Sequence, residues 1–179
     1  MRLSEKYKKE IMPKLVEEFG YSNSMSIPRV NRVTVNVGVG RVNKDKSFMD
    51  NVENTLKKIT GQNPIATKAK KSIASFKVRE GSIVGMVVTL RGQRMYDFLE
   101  KLINISLPRV RDFRGLSTKA FDKQGNLSIG FKENISFPEI RADEIEKIHG
   151  LEVCISTTAN SKPEGESLLR LMGFPLKKE

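Results

Sequence analysis

The chain has 179 residues with a single cysteine and a single histidine, enough length to bury roughly two-thirds of its unfolded surface but too few ligands for a disulfide or zinc scaffold. Hydrophobic residues make up 38% and are interleaved with charge; no apolar run approaches the roughly 18 residues that span a bilayer and no secretory signal opens the chain, so a cytoplasmic protein is expected. The formal net charge of +11 is concentrated in the middle, where residues 61 to 119 carry 12 Lys and Arg against 4 Asp and Glu, while residues 120 to 179 carry 8 against 10. Clustered positive charge attracts phosphate backbones by releasing their counterions. Nucleic acid is the expected partner, and a basic surface kept for solubility is the alternative.

In chain order, Leu3, Tyr7, Ile11 and Leu15 recur every four residues and predict a helix with Phe19 near its end, Gly20 as its stop and Pro13 as a kink. Val33, Val35, Val37 and Val39 alternate with Thr34, Asn36, Gly38 and Gly40, the period of a half-buried strand. Phe48, Val52, Leu56 and Ile59 predict a second helix, with Ser47 as N-cap and Gly61 beyond its end. Ile65, Thr67 and Ala69 suggest a short strand. From Lys70 to Gly85 cations, Ser, Phe76 and two glycines follow no period and read as a long exposed loop. Val84, Met86, Val88 and Leu90 form the next strand. Met95, Phe98, Leu99 and Leu102 mark a helix that stops before Pro108. Strands are expected around Leu127, Ile129 and Phe131 and around Leu151, Val153 and Ile155. A last helix starts at Ser161, paired with Glu164 in a capping box, and ends near Gly173.

With no repeat or dividing linker, these elements predict one α+β domain: a single mixed, mainly antiparallel sheet with helices packed on one face and the other face open. That open face would display Arg32, Thr34, Asn36, Thr67, Thr89 and Arg91.

Catalytic motifs fail one by one. The Gly38 to Arg41 turn lacks the third glycine of a dinucleotide fingerprint and the Gly-Lys-Ser/Thr of a phosphate loop, and reads as a strand end. Cys154 falls at a central strand position, where a buried structural thiol is the ordinary outcome. His149 reads as capping carbonyls or facing solvent, and Asp143, Glu144 and Glu146 splay around a helix as a solvated face. No enzyme, metal or cofactor is expected. Around residue 70, Lys68, Lys70, Lys71, Lys77 and Arg79 surround Ile73 and Phe76, offering cations for phosphates and apolar groups for a sugar or base. Anchoring of Ile73 and Phe76 to the protein's own core is the alternative. Arg109, Arg111 and Arg114 surround Asp112 in a second cluster, suited either to phosphate or to holding a neighbouring loop.

Several of these segments are also recognisable together. Pro28-Arg29-Val30 leading into Val35-Asn36-Val37-Gly38-Val39-Gly40, then Thr60-Gly61-Gln62-Asn63-Pro64, Lys68 to Lys77, Val88-Thr89-Leu90-Arg91-Gly92, Arg109 to Gly115, Phe137-Pro138-Glu139-Ile140, Thr157-Thr158-Ala159 and Gly173-Phe174-Pro175 resemble, collinearly, the L-five family of bacterial large-subunit ribosomal proteins. The resemblance implies a ribosome-associated RNA-binding protein of translation without enzymatic activity. It would attach 5S rRNA to 23S rRNA in the central protuberance, among neighbouring proteins of that region. By motif, Asn36, Gln62 and Thr89 match the family's 5S rRNA contacts, and the open face with Arg32, Thr34, Thr67, Lys68 and Arg91 would complete that surface. The basic loop at about residues 70 to 82, with Lys70, Lys71, Ser72, Ile73, Phe76, Lys77 and Arg79, maps onto the family's contact with peptidyl-site tRNA. Arg109, Arg111, Asp112 and Arg114 are candidates for a bridge to a small-subunit head protein, as is the more acidic final third. A free RNA chaperone or tRNA-binding protein is the alternative. Departures are local: Phe121-Asp122-Lys123-Gln124-Gly125 replaces the family's Phe-Asp-Gly-Arg-Gly, and Arg141-Ala142-Asp143 stands where Tyr-Asp is common.

Overall fold

The computed structural model describes residues 2–40, 45–76, 78–140 and 148–177; Arg41, Lys77, Arg141, Asp143, Glu144 and Glu146, singled out above, lie outside them. The strands are β1 (Val30–Gly38), β2 (Ile65–Lys68), β3 (Ile83–Leu90), β4 (Leu127–Phe131) and β5 (Leu151–Thr157). They form an open, antiparallel five-stranded sheet in the order β2-β3-β1-β5-β4. The expected α+β fold is therefore present. Val33, Val35, Val37, Met86, Val88, Leu127, Ile129, Val153 and Ile155 are all buried, whereas the alternate positions Thr34, Asn36, Thr89, Ser128 and Glu152 are partly or fully exposed. Period-two patterning thus divides a wet face from a dry one.

The chain forms two compact units. The first comprises Met1–Val33, Leu90–Ile129 and Cys154–Glu179. Its opening helix runs as α1 (Leu3–Lys6), a π-helical segment (Tyr7–Ile11) and α2 (Met12–Phe19). A four-residue spacing exceeds the 3.6 residues of an α-turn, so a regular helix would carry the Leu3, Tyr7, Ile11, Leu15 stripe out of the core. The wider i→i+5 turn absorbs the surplus, and all four side chains are buried. Pro13 falls in the first turn of α2, directly after the π-helical segment. Gly20 ends the helix in the left-handed conformation, φ 69°. Tyr7 donates its hydroxyl to the Pro28 carbonyl at 3.0 Å. Burial, reinforced by Tyr96 and opposed by Arg29, pushes the Tyr7 phenol up to about 12. α4 (Gly92–Lys101) likewise passes into a π-helical segment (Leu102–Ser106) ahead of Pro108.

The last helix, α5 (Lys162–Met172), does not use the expected capping box. The Ser161 hydroxyl makes no cap bond, and the Glu164 carboxylate accepts instead from the Asn160 backbone N–H at 3.0 Å. Inside this helix Gly165 rests against the turn ahead of β4, where a Cβ on Gly125 would stand 2.9 Å from the Gly165 Cα. Asp122 organises that turn, accepting from the N–H groups of Gln124 at 2.9 Å and Asn126 at 2.8 Å and from the Asn126 amide at 2.7 Å. Burial would raise the Asp122 carboxyl, but these hydrogen bonds prevail and hold it below its ordinary value.

The second unit comprises Thr34–Thr89 and Gly130–Val153. Its helix α3 (Lys46–Thr60) buries Phe48, Val52, Leu56 and Ile59 as the spacing predicts, and Gly61 closes it at φ 68°. The N-cap is Asp45, whose carboxylate accepts from the Phe48 N–H at 3.2 Å, rather than Ser47. β2 pairs antiparallel with β3, setting Ile65 opposite Val87 and Thr67 opposite Gly85. The stretch expected as irregular loop has order of its own. Ala69 donates to Ser82 at 2.9 Å, Ile73 and Val78 exchange backbone bonds of 2.9 and 3.2 Å, and Ala74–Phe76 forms a 3₁₀ turn.

Candidate RNA interface

On the open face of the second unit, β1 supplies Thr34 and Asn36, β2 supplies Thr67 and β3 supplies Thr89. Directly opposed residues of an antiparallel pair share a face, so Thr67 and Ile65 lie on the same side as Gly85 and Val87. Thr34, Asn36 and Thr67 are half-buried and Thr89 is exposed. Gln62, just beyond α3, reaches over to donate its Nε2 to the Thr89 carbonyl at 3.4 Å. This contact brings the amide of a loop residue to the end of β3. Lys68 is exposed on the edge strand, and Ile65, 68% exposed, is a large apolar side chain on the sheet's wet side. Uncharged donors and acceptors around a solvent-facing isoleucine suit ribose and base edges more than phosphate alone.

Arg32 and Arg91 belong to the first unit. Arg32 is exposed, with its Nε 3.5 Å from Ser156 Oγ, and Arg91 is exposed at the N-terminus of α4. Both are available to phosphate.

Among the basic-loop residues, Lys70, Lys71, Ser72 and Arg79 are exposed. Ser72 is also structural, its hydroxyl accepting from the Glu80 N–H at 2.9 Å. Phe76 is 73% and Ile73 47% exposed, so neither serves as the core anchor that the sequence left open. Together with Lys70 and Lys71 they line a groove of about 1450 Å³ in the second unit, whose other walls include Phe48, Val84, Ile148 and His149. An apolar wall beside two ammonium groups fits the face of a sugar or base next to its phosphate.

Arg109, Arg111, Asp112 and Arg114 are all exposed after the α4 helical stretch. Asp112 adopts φ 53°, the left-handed conformation that Asp tolerates better than most residues, so the three arginines flank a tight bend.

The structure corrects two smaller readings. His149 does not face solvent: it is buried, with its ring edge-on to Phe48 at 6.0 Å and its Nδ1 3.5 Å from the Asn134 amide nitrogen. Cys154 is half-exposed rather than buried, and Ser128 donates to its sulfur at 3.5 Å. Gly85 carries no role in the sequence reading, although a glycine inside a strand pattern marks a close approach; Thr67 and Asn36 converge on it. Among the described residues no group of His, Cys, Asp and Glu is placed to hold a metal, and no helix is long and apolar enough to cross a membrane.

Comparison with known proteins covers nearly the whole chain. The family model for ribosomal protein L5 matches residues 23–79, and the model for the C-terminus of the same ribosomal family matches residues 83–176. The large ribosomal subunit protein uL5 of Halothermothrix orenii is 53% identical over 173 residues, covering 97% of each chain. That of Syntrophomonas wolfei is 54% identical over 176 residues, covering 98% of this chain and 99% of the relative. The Natranaerobius thermophilus protein is 51% identical over 174 residues, with 97% of each covered.

Proposed function

The chain belongs to the ribosomal protein L5 family and is a structural constituent of the large ribosomal subunit, and from that premise we propose that it binds 5S rRNA through the open sheet face and joins it to 23S rRNA in the central protuberance. The observation carrying this reading is the grouping of Asn36, Gln62, Thr67 and Thr89 on one wet face, with Gln62 held to the Thr89 backbone. Arg32, Lys68 and Arg91 would add phosphate contacts, while the uncharged set would read ribose and base edges. The exposed Ile73 and Phe76, beside Lys70, Lys71 and Arg79, support a contact with peptidyl-site tRNA. Arg109, Arg111, Asp112 and Arg114, on their tight bend, are assigned to the bridge with a small-subunit head protein.

A gel-shift titration with 5S rRNA tests the sheet-face assignment. Each lost hydrogen bond should cost on the order of 1 kcal/mol, so Asn36→Ala combined with Thr89→Ala should weaken binding about 30-fold. Unchanged affinity in that double variant sinks the assignment. An unrelated RNA included as competitor separates it from a general RNA chaperone, for which both RNAs would compete equally.

A further inference from the structure

The basic loop after β2 is a hairpin continued past the sheet, and it is held in two different ways. At its base Ala69 donates to the Ser82 carbonyl at 2.9 Å and accepts from the Gly81 N–H at 3.0 Å; at its tip Ile73 and Val78 exchange their backbone bonds. On the returning limb Arg79 to Ser82 form a β-turn, closed by the Ser82 N–H on the Arg79 carbonyl at 3.1 Å, with Gly81 third in the turn at φ 81°. A β-turn uses the N–H of its fourth residue and offers its second residue's N–H no partner. That second residue is Glu80, and the Ser72 Oγ of the outgoing limb accepts from its N–H at 2.9 Å. A side-chain hydroxyl thus supplies, between base and tip, a rung that a backbone carbonyl makes in a regular hairpin. Beyond this rung stand the exposed Ile73 and the 3₁₀ turn that carries the exposed Phe76 ring. Apolar side chains held out in water bring no packing of their own, so the hairpin's hydrogen bonds set their positions.

We propose that Ser72 is the positioning residue of this loop: its hydroxyl ties the two limbs together in the free protein, so that Ile73 and Phe76 meet tRNA already in their bound arrangement. The proposal rests on the reading above that the loop touches peptidyl-site tRNA, and it gives Ser72 the task of ordering the residues that make the contact. A segment ordered beforehand loses less freedom on binding, and affinity rises accordingly. Ser72 is exposed and its bond is local, so losing it should loosen the tip and spare the rest of the fold.

The test uses the full chain, free and in reconstituted ribosomes carrying peptidyl-site tRNA. In the free protein Ser72→Ala should speed hydrogen exchange of the Glu80 and Val78 amides about fivefold, with Tm within about 1 °C of wild type. On the ribosome, crosslinking of the loop to tRNA should fall about fivefold, while affinity for 5S rRNA stays unchanged. Ser72→Thr, which keeps the hydroxyl, should restore both exchange and crosslinking. Faster exchange with undiminished crosslinking overturns the proposal. So does diminished crosslinking with unaltered exchange, which would make the hydroxyl a direct RNA contact, and so does failure of Ser72→Thr to restore either. Phe76→Ala separates the two levels. If it lowers crosslinking and Ser72→Ala does not, the positioning role alone is lost; if neither variant lowers it, the tRNA reading is lost as well.

Discussion

Replacing Gly165 by alanine should destabilise the protein, although alanine is the better helix former. Within α5 the substitution gains about 1 kcal/mol of helix propensity. Against that, the new Cβ would lie 2.5 Å from the Gly125 Cα and closer still to the Gly125 carbonyl oxygen. Both obstacles are backbone, so no rotamer change relieves them, and overpacking of this kind costs about 3 kcal/mol. Gly125 stands at φ 78°, and its turn is tied to β5 by the Thr157 hydroxyl on the Gly125 carbonyl at 3.1 Å and the Asn126 side-chain oxygen accepting from the Thr157 N–H at 2.8 Å. Pushing the turn away strains these bonds, at about 1 kcal/mol for one lost. The balance is a loss of roughly 3 kcal/mol, or about 6–12 °C in Tm for a chain of this size. Thermal and urea unfolding followed by circular dichroism would measure it. Gly130→Ala is the control, because a Cβ there meets nothing within 4 Å and stability should change by less than about 0.5 kcal/mol. A Gly165→Ala protein as stable as wild type would refute the reasoning.

Asp122→Asn should show a stability defect that depends on pH. The carboxyl lies below its ordinary value of 3.8 in the folded state, so its contribution is present above that value and is lost as pH falls through the lower folded one. The difference between wild type and variant in urea titrations should be at most about 1 kcal/mol at neutral pH, given the exposure of the turn, and should shrink below about pH 4. A difference that grows in acid would contradict this. Phe76→Ala should leave Tm within about 1 °C, since the ring is 73% exposed, while weakening crosslinking of the loop to peptidyl-site tRNA on reconstituted ribosomes. Equal crosslinking would remove Phe76 from the tRNA surface.

Elements that bury one stripe or face were legible because periodicity reports burial directly. The Val33, Val35, Val37 alternation and the Phe48, Val52, Leu56, Ile59 stripe are each reproduced in the buried set. Helix starts were less legible. Asp45 and Ser47 are both competent caps, and Asp45 takes the role because it is the extended residue just before the first helical one, while Ser47 already lies inside α3. In the same way the Glu164 carboxylate accepts from the Asn160 N–H, one residue before the expected partner, and the Ser161 side chain makes no cap bond. The loop after β2 looked aperiodic because its order comes from backbone pairing between Ala69 and Ser82 and between Ile73 and Val78, which imposes no pattern on side chains. Polar residues of the candidate RNA face could be chosen from strand phase alone. Gly85 could not, since the meaning of a missing side chain depends on which neighbours it admits.

The π-helical segment between Lys6 and Met12 has a consequence in the arithmetic of the chain. One surplus residue is stored there, and Pro13 follows within two positions. A one-residue deletion inside Tyr7–Ile11 would return the segment to α-helical pitch and keep both halves of the apolar stripe facing inward, whereas the same deletion in α2 would turn Leu15 about 100° away from its partners. Shortening keeps the stripe facing inward only in the π-helical segment, but at α-helical pitch the ring of Pro13 would clash with the carbonyl four residues before it. A deletion in Tyr7–Ile11 therefore needs Pro13 replaced at the same time, whereas replacing Pro13 alone leaves the stored residue in place.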